Sequence, residues 1–196
     1  MIRIGVILAG LWLLVQPAVA AITPMEAIKE TAGGVLSALR DPALKSNRDT
    51  RQERIKTLLR ARFDFEEMGK RSLGPNWSKQ SPADQQQFVK QFTELLMTTY
   101  IDRVDDYQGE KIIYQGERQE NETATVNTKV QDKKGREYSV NYRLVRSGED
   151  WKVFDVVIED VSLVNNYRSQ FSRVLSSGSF AELLQKLSAK QFQGGA

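Results

Sequence analysis

The segment 151–158 carries apolar residues at both of its alternating sets of positions, so a strand formed here would be buried on both faces. After this segment, Tyr167, Phe171 and Val174 return at helical spacing. The pattern therefore predicts a strand that leads directly into a helix, and the helix is expected to fold back over the sheet.

Helix starts are indicated by four Ser or Thr residues, each followed three positions later by an acidic residue. In such a pair the hydroxyl accepts a hydrogen bond from an early backbone N–H, and the acid accepts one from the N–H of the cap residue. Proline follows two of the four, and it is favoured at the first helical position. The predicted caps are Thr23, Thr50, Ser81 and Ser179.

The first two predicted helices each carry one apolar side. Residues 33–34 are both glycine, which indicates a bend in the first helix or a close contact with another helix. The second helix is expected to run on toward Phe63 and Met68 until residues 74–75, Gly-Pro, end it. The apolar positions of the two helices are Met25, Ile28, Val35, Leu36, Leu39, Ile55, Leu58 and Leu59.

The third predicted helix, over 82–106, is the longest and the most apolar. Its apolar arc is broader than one contact requires, so we expect it to pack against more than one neighbour. The arc consists of Phe88, Val89, Phe92, Leu95, Leu96, Met97, Thr99, Tyr100, Ile101 and Val104.

After Gly109 the period of the apolar positions changes from that of a helix to that of a strand. The predicted strands span 111–115, 124–130, 138–144 and 151–158, with turns at 116, 134–135 and 147–148. The predicted inner face carries Ala124, Val126, Val130, Tyr138, Val140, Tyr142 and Leu144. Because helices precede and follow these strands, the fold class is α+β: a curved antiparallel sheet of about four strands with several helices on its concave face.

Residues 1–20 have the composition of a secretory signal peptide. A short positive region is followed by an apolar run over 4–15 and by small residues before position 20. The run is shorter than the roughly 20 apolar residues that span a bilayer. We therefore expect an exported soluble protein whose residues 21–196 form one domain: helices over about 21–106, the sheet over about 110–160, and further helices over about 162–192.

The charge of the chain is nearly balanced. Without the predicted signal peptide it has 27 basic and 25 acidic residues, interspersed along the sequence. The basic residues are not clustered with aromatic ones, so nucleic-acid binding is not expected. The chain contains no cysteine, which excludes disulfides.

Composition also excludes most catalytic chemistry. The chain has no histidine, so hydrolytic triads with a histidine base and zinc sites of the usual kind are impossible. No segment is dense enough in oxygen ligands for calcium, so no metal site is expected. Asp155 lies among apolar neighbours on the predicted central strand, where burial would raise the pKa of a general base. The alternative is structural: Asp155 hydrogen-bonds a loop or pairs with Arg or Lys.

Aromatic residues recur on the predicted helices and strands. Each one taken singly is typical of an ordinary core position. Together they also suit helices placed over one face of a curved sheet, an arrangement whose interior can remain open as an apolar pocket.

A series of motifs runs in order over nearly the whole predicted domain, at 63–68, 72–74 with Trp77, 88–100, 142–144, 151–156 and 161–171. Through these motifs, of which the last two are the most specific, the chain resembles the MlaC family of periplasmic phospholipid carriers, also called toluene-tolerance auxiliary proteins. In two places the chain departs from the family pattern: Gly69 stands where alanine is usual, and Asp160 where glycine is usual.

The resemblance implies a sheet like that of nuclear transport factors, with added helices that hold the acyl chains of a diacyl phospholipid while the headgroup stays near the mouth. It implies a monomeric periplasmic carrier, without enzymatic activity and without a cofactor other than its cargo. It also implies two partners, an MCE-type ABC transporter complex at the inner membrane and a lipoprotein complex at the outer membrane. Such a carrier would maintain the lipid asymmetry of the outer membrane.

The tail pocket is predicted from the apolar residues of the long helix, the sheet and the final motif. Arg143 and Arg168 are candidates for a phosphate near the mouth, and a structural ion pair is the alternative for each. Tryptophan at Leu95 or Val140 is expected to block lipid uptake while the protein still folds. The predicted pocket residues are Phe88, Phe92, Leu95, Leu96, Tyr100, Val126, Val140, Tyr142, Val161, Leu163, Tyr167 and Phe171.

Three other interpretations fit the same sequence. The cargo could be a hopanoid or another polycyclic lipid, since an apolar pocket carries no sequence code for its ligand. An enzyme could use Asp155 as a base on a small apolar substrate. Finally, the chain could be an exported interaction module with a filled core.

Overall fold

The computed structural model describes residues 21–194. The predicted signal peptide, 1–20, lies outside the described residues. Within them the fold is α+β, as predicted, with helices before and after a curled, open antiparallel sheet. In the part of the chain that the structure describes, no helix is both long and apolar enough to cross a membrane.

Four α-helices precede the sheet and two follow it in the described range. The predicted second helix is in fact two, because Phe63 leaves the helix and pairs in parallel with Val153 of the sheet. The helices are α1 (Pro24–Arg40), α2 (Arg48–Arg62), α3 (Phe65–Leu73), a 3₁₀ helix (Gly74–Lys79), α4 (Pro82–Asp105), α5 (Leu163–Ser177) and α6 (Phe180–Ser188).

Three of the four predicted helix caps are confirmed. The side chains of Thr23, Ser81 and Ser179 each accept a hydrogen bond from the backbone N–H three residues later. The cap predicted at Thr50 is wrong. Asn47 caps α2, and its side chain accepts from the N–H of Thr50 at 3.1 Å. Asparagine is among the strongest N-cap residues, so it starts the helix one turn before the Thr-Glu pair.

The sheet has five strands in the order β1-β2-β3-β4-β5 rather than about four. The fifth is added by a tight turn at Glu159 and Asp160, both with positive φ, which folds Val161–Ser162 back onto the preceding strand. The strands are β1 (Lys111–Glu120), β2 (Thr123–Gln131), β3 (Glu137–Ser147), β4 (Asp150–Ile158) and β5 (Val161–Ser162).

The turn predicted at Gly116 is also wrong. Gly116 lies inside β1, where the register with β2 shifts and forms a bulge. Its φ of 155° is one that glycine adopts without strain, so the residue serves as a bulge. The chain instead turns at Asn121, whose φ is 53°.

The strand β4 is covered on both faces, as its pattern predicts, although it is the fourth strand of the sheet and not the central one. Phe154 packs into a core formed with the helices α3 to α6. Trp151, Val153 and Val156 belong to a different core, shared with α1 and the neighbouring strands. The strand therefore separates two apolar layers.

The helical layer is tightly filled by aromatic rings. Phe88, Phe92, Tyr167 and Phe171 are each 0% exposed, and their ring centroids lie 5.2–5.7 Å apart. Edge-to-face and tilted contacts at such distances add stabilisation beyond area burial. This cluster joins α4 to α5 without leaving a space between them.

On the other face of the sheet the predicted inner residues are largely confirmed. Ala124, Val126 and Leu144 are buried, and Thr128, which the pattern did not single out, is 0% exposed and donates to the carbonyl of Val140. The prediction for Tyr138 is wrong, because this residue is 37% exposed and not buried on the inner face. It lies near the start of β3, where its ring stacks against the Arg136 guanidinium.

The helix α1 is fixed at one end and flanked by α2 at the other. Ala27 and Ile28 are buried against the sheet, and the Trp151 indole donates to the carbonyl of Ile22 at 3.1 Å. Further along, Gly34 lies so close to α2 that an added Cβ would be 3.3 Å from the Leu58 side chain. Gly34 therefore marks a close helix contact, one of the two predicted alternatives, whereas Gly33 makes none.

Candidate functional site

An apolar cavity of about 410 Å³ lies between the helices α1, α2 and α4 and the inner face of the sheet. This volume is within the range of about 300–1,000 Å³ that is typical of ligand pockets. Most of its lining is aliphatic or aromatic. The apolar lining residues are Ile28, Ala32, Val35, Leu36, Leu39, Leu59, Phe63, Phe65, Met68, Leu96, Met97, Tyr100, Ile101, Val104, Tyr107, Ile112, Val130, Tyr142, Val156, Ile158 and Leu163.

The charged lining residues lie at two separate places. Arg103, Asp106 and Glu110 belong to the end of α4 and the loop before β1, and Ile112, Val130 and Ile158 line the cavity beside them. Arg62, in contrast, contacts the carbonyl of Trp151 at the beginning of β4. Arg103 and Asp106 are exposed and Arg62 is buried. The mouth of the cavity is therefore at the α4–β1 loop.

A contact between Arg40 and Tyr107 joins two sides of the mouth. The Arg40 guanidinium at the end of α1 donates to the Tyr107 hydroxyl at 2.7 Å and lies 5.6 Å from the centre of its ring. Both groups can separate without leaving a buried charge, because Arg40 is exposed and Tyr107 half-buried. This contact joins α1 to the α4–β1 loop.

Three tyrosines in and around the cavity have a raised pKa. Burial, with a smaller contribution from Tyr114, raises the pKa of Tyr142 to about 12. Burial also raises the pKa of Tyr100 and Tyr167. At neutral pH these phenols are protonated, so the wall offers hydroxyl groups but no anion from the tyrosines.

Four of the predicted pocket residues line the cavity. Leu96 and Tyr100 reach it from α4, Tyr142 from β3, and Leu163 from the start of α5. They come from three separate segments of the chain, and the fold brings them together around one space.

Five predicted pocket residues lie in the packed helical core and do not line the cavity. They share the stripe that α4 and α5 turn toward each other, and each is at most 1% exposed. Helical periodicity identifies a buried face but not which neighbour covers it, so the stripe by itself does not show which residues face the cavity. The residues are Phe88, Phe92, Leu95, Tyr167 and Phe171.

The other three predicted pocket residues do not line the cavity either. Val126 is 0% exposed and packs in the core between sheet and α1. Val140 is half-buried beside the same core. Val161 is 42% exposed, because it lies in the short strand β5 at the edge of the sheet. Alternation along a strand predicted an inward direction correctly for the first two, but not the extent of the open space.

Neither arginine proposed for a headgroup lines the cavity. Arg143 pairs with Asp155 at 3.1 Å, which is the structural alternative. The Arg168 guanidinium lies against the backbone of Gly74, where an added Cβ would be 2.6 Å from one of its nitrogens. The positive φ of Gly74 and this close approach together require glycine at that position.

Asp155 has the structural role and not the geometry of an exposed base. Its carboxylate is 2% exposed and accepts from the Ser162 hydroxyl at 2.6 Å, from the Val164 N–H at 3.1 Å and from Arg143. Ser162 in turn caps α5. These bonds connect β3, β4 and the start of α5, and Asp155 does not line the cavity. Among the described residues there is also no cluster of acidic side chains that could hold a metal ion.

The sequence interpretation missed the contribution of α1 to the cavity. Ala32, Val35, Leu36 and Leu39 of this helix line it and are only half-buried. The available signal was the apolar side of α1 beyond the glycine pair, which needs a covering surface. The sequence pattern shows that this side of α1 is apolar, but it does not show that the side faces a pocket.

Comparisons with known proteins agree with this arrangement. Residues 29–189 match the family model described as MlaC protein. A toluene tolerance protein of Pseudomonas putida is 28% identical over 158 residues, which cover 79% of this chain and 74% of that protein. A solved structure of a phospholipid-binding protein from Ralstonia solanacearum, in complex with a phospholipid, is 26% identical with a TM-score of 0.76, and the match covers 84% of this chain and 94% of that one.

Proposed function

Since the chain belongs to the MlaC family, we propose that it is a phospholipid carrier, not an enzyme, and that its cavity holds the acyl chains of the lipid. The observation that carries this proposal is the apolar cavity of about 410 Å³ between the helices and the sheet. The solved relative with a bound phospholipid supports the same ligand class.

The physical requirement for such a carrier is an apolar wall, because the acyl chains supply most of the binding free energy. Moving about 30 methylene groups out of water is worth on the order of 20 kcal/mol, at roughly 0.8 kcal/mol each. A bilayer provides nearly the same gain. Transfer between membrane and carrier is therefore close to balanced, and the direction of transport must come from the partners.

We further propose that this protein works in the periplasm between an MCE-type ABC transporter complex of the inner membrane and a lipoprotein complex of the outer membrane. In that role it would maintain the lipid asymmetry of the outer membrane. Membership of the family supports this role.

The test is native mass spectrometry of the mature protein purified without detergent, followed by organic extraction and identification of the lipid. We expect an additional mass that matches a diacyl phospholipid. A polycyclic lipid in its place would replace the proposed cargo. No bound species, combined with no uptake of lipid from phospholipid vesicles, would contradict the carrier function.

A further inference from the structure

We infer that Arg62 forms the closed end of the cavity and limits the length of the acyl chains that this protein binds. The inference rests on the proposed carrier function and concerns the same cavity. It assigns a role in specificity to a charged residue that lies away from the mouth.

The position of Arg62 along the sheet suits an end wall. Its guanidinium lies 2.7 Å from the carbonyl of Trp151, whereas Ile158 lines the cavity at the mouth end of the same strand. The two positions are seven residues apart on β4, or about 23 Å at about 3.3 Å per residue. One leaflet of a bilayer is about 15 Å thick, half of a hydrocarbon core of about 30 Å. An acyl chain of that depth which enters at the mouth would therefore stop short of Arg62, and only a longer, extended chain would reach the guanidinium.

The Arg62 side chain is held in place at the end of the cavity by several contacts. The Nε atom of Arg62 donates to the Thr31 hydroxyl at 2.9 Å, and its terminal nitrogens donate to Asp150 and, at 3.2 Å, to Glu30. These partners belong to α1 and to the start of β4, while Arg62 itself ends α2. Moving the guanidinium would break contacts to two other elements at once.

A chain terminus cannot take the place of this group. A methyl group forms no hydrogen bond, so an acyl chain that displaced the guanidinium would leave the carbonyl of Trp151 and the Thr31 hydroxyl without their donor. A chain that is too long must instead leave methylene groups outside the cavity. Each such group reduces partitioning from the membrane into the carrier by up to about fourfold.

The wall can be removed without leaving a buried charge. The carboxylate partners of Arg62 are solvent-accessible: the side chain of Asp150 is 40% exposed and that of Glu30 is 69% exposed. In the variant Arg62→Met both remain hydrated, and an apolar side chain lines the end of the cavity. The variant Arg62→Lys keeps a cation at this position and is the matched control.

The experiment offers each protein vesicles that contain equal amounts of dipalmitoleoyl, dioleoyl and dierucoyl phosphatidylcholine, and identifies the lipid taken up by mass spectrometry. We expect the native protein and Arg62→Lys to discriminate against the longest chains. In Arg62→Met we expect this discrimination to fall at least about fourfold, the effect of one methylene group. An unchanged chain-length distribution in a lipid-binding Arg62→Met would overturn the inference and leave the carrier function intact.

A second variant should shorten the cavity where Arg62→Met lengthens it. It leaves the ion pairs of Arg62 unchanged. Leu59 lies one turn before Arg62 and lines the cavity, so Leu59→Phe adds bulk on the mouth side of the wall. We expect uptake to shift toward the shortest chains. If Arg62→Met does not fold, an unshifted distribution in Leu59→Phe overturns the inference. No uptake of any lipid by the native protein would overturn the carrier function and this inference together.

Discussion

At the scale of single residues, the two carboxylates that are most deeply buried, Asp155 and Asp105, connect elements. Asp155 accepts three hydrogen bonds where β4 meets the start of α5. Asp105, at the end of α4, accepts from Arg48 and Arg51 at the start of α2. Each carboxylate is balanced by donors, as a buried charge requires. Both buried carboxylates therefore hold neighbouring elements together.

Removal of the Asp105 charge should weaken the attachment of α2 to α4. Its side chain is 1% exposed, and the hydrogen bond from Arg51 is the largest cause that lowers its pKa. We expect Asp105→Asn to lower the free energy of unfolding by about 1–2 kcal/mol at neutral pH, as measured by urea denaturation. The control is Glu94→Gln, since the pair of Glu94 with Arg60 is exposed and should contribute little.

The pairing of Asp105 with Arg51 also predicts how the stability of the protein depends on pH. Because the pKa of Asp105 is lower in the folded protein than in the unfolded chain, its contribution is complete above the unfolded value of about 3.9. The contribution is lost as the pH falls through the lower, folded pKa. The difference between the native protein and Asp105→Asn should therefore shrink in acid. A difference that stays constant down to the acid limit would contradict the ion pair.

The two departures from the family pattern are both explained locally. Asp160 adopts a φ of 64° in the turn between β4 and β5, a conformation that glycine reaches without strain. Gly69 lies beneath the long helix, where an added Cβ would be 3.3 Å from the ring of Phe88. Asp160 thus carries a small backbone strain, and Gly69 leaves room for the Phe88 ring of the helical core.

At the scale of elements, the surroundings of α1 change along its length. Its first turns are buried against the sheet, whereas its later turns line the cavity. Gly33 of this helix is exposed and has no atom within 4 Å of the place where a Cβ would be. No packing requirement therefore accounts for this glycine.

We expect Gly33→Ala to stabilise the protein by about 0.5–1 kcal/mol, because alanine restricts the unfolded chain and favours the helix. Gly34→Ala is the matched control at the next position. Its Cβ would press on the side chain of Leu58, so its gain should be smaller or absent. Thermal unfolding of both variants checks the prediction, and an equal response from the two would contradict the packing difference.

At the scale of the whole molecule, β4 separates a filled layer from an open one. Aromatic and aliphatic side chains pack the helical layer, while the layer beneath α1 and α2 keeps a cavity. Proteins normally pack their interiors to near-crystalline density, so an apolar space of this size is an exception that favours a ligand. The filled layer provides the rigid support, and the open layer provides the site.

Filling the open layer should abolish lipid binding without unfolding the protein. Leu36 lines the cavity and is half-buried, so Leu36→Trp places a large ring in open space. Ser37 is its exposed neighbour on α1, and Ser37→Trp is the control. We expect the lipid extracted per mole of folded protein to fall at least about tenfold in the first variant only. Normal lipid content in Leu36→Trp would place the acyl chains elsewhere.

Tryptophan at Leu95 is less suitable for this purpose than the sequence suggested. Leu95 is 1% exposed within the filled layer, so a larger side chain there overpacks the core. Loss of lipid in that variant would not be separable from loss of the fold.

The sequence alone determined most of the local structure, because local structure depends on patterns that lie close together in the chain. Capping hydroxyls placed α1, α4 and α6, and period-two alternation placed β2 and β3. Apolar residues at both alternating sets of positions identified β4 as the strand that is buried on both faces. The family motifs, which are also local, indicated the type of cargo.

Only the tertiary structure decided which buried residues face the cavity. Phe92 and Leu96 are one turn apart on α4, yet the first is enclosed by aromatic rings and the second lines the open space. Apolar character favours burial equally against a side chain or against a cavity, so periodicity cannot distinguish the two. The packing of distant helices made that distinction, and it also brought Arg62 to the end of the cavity.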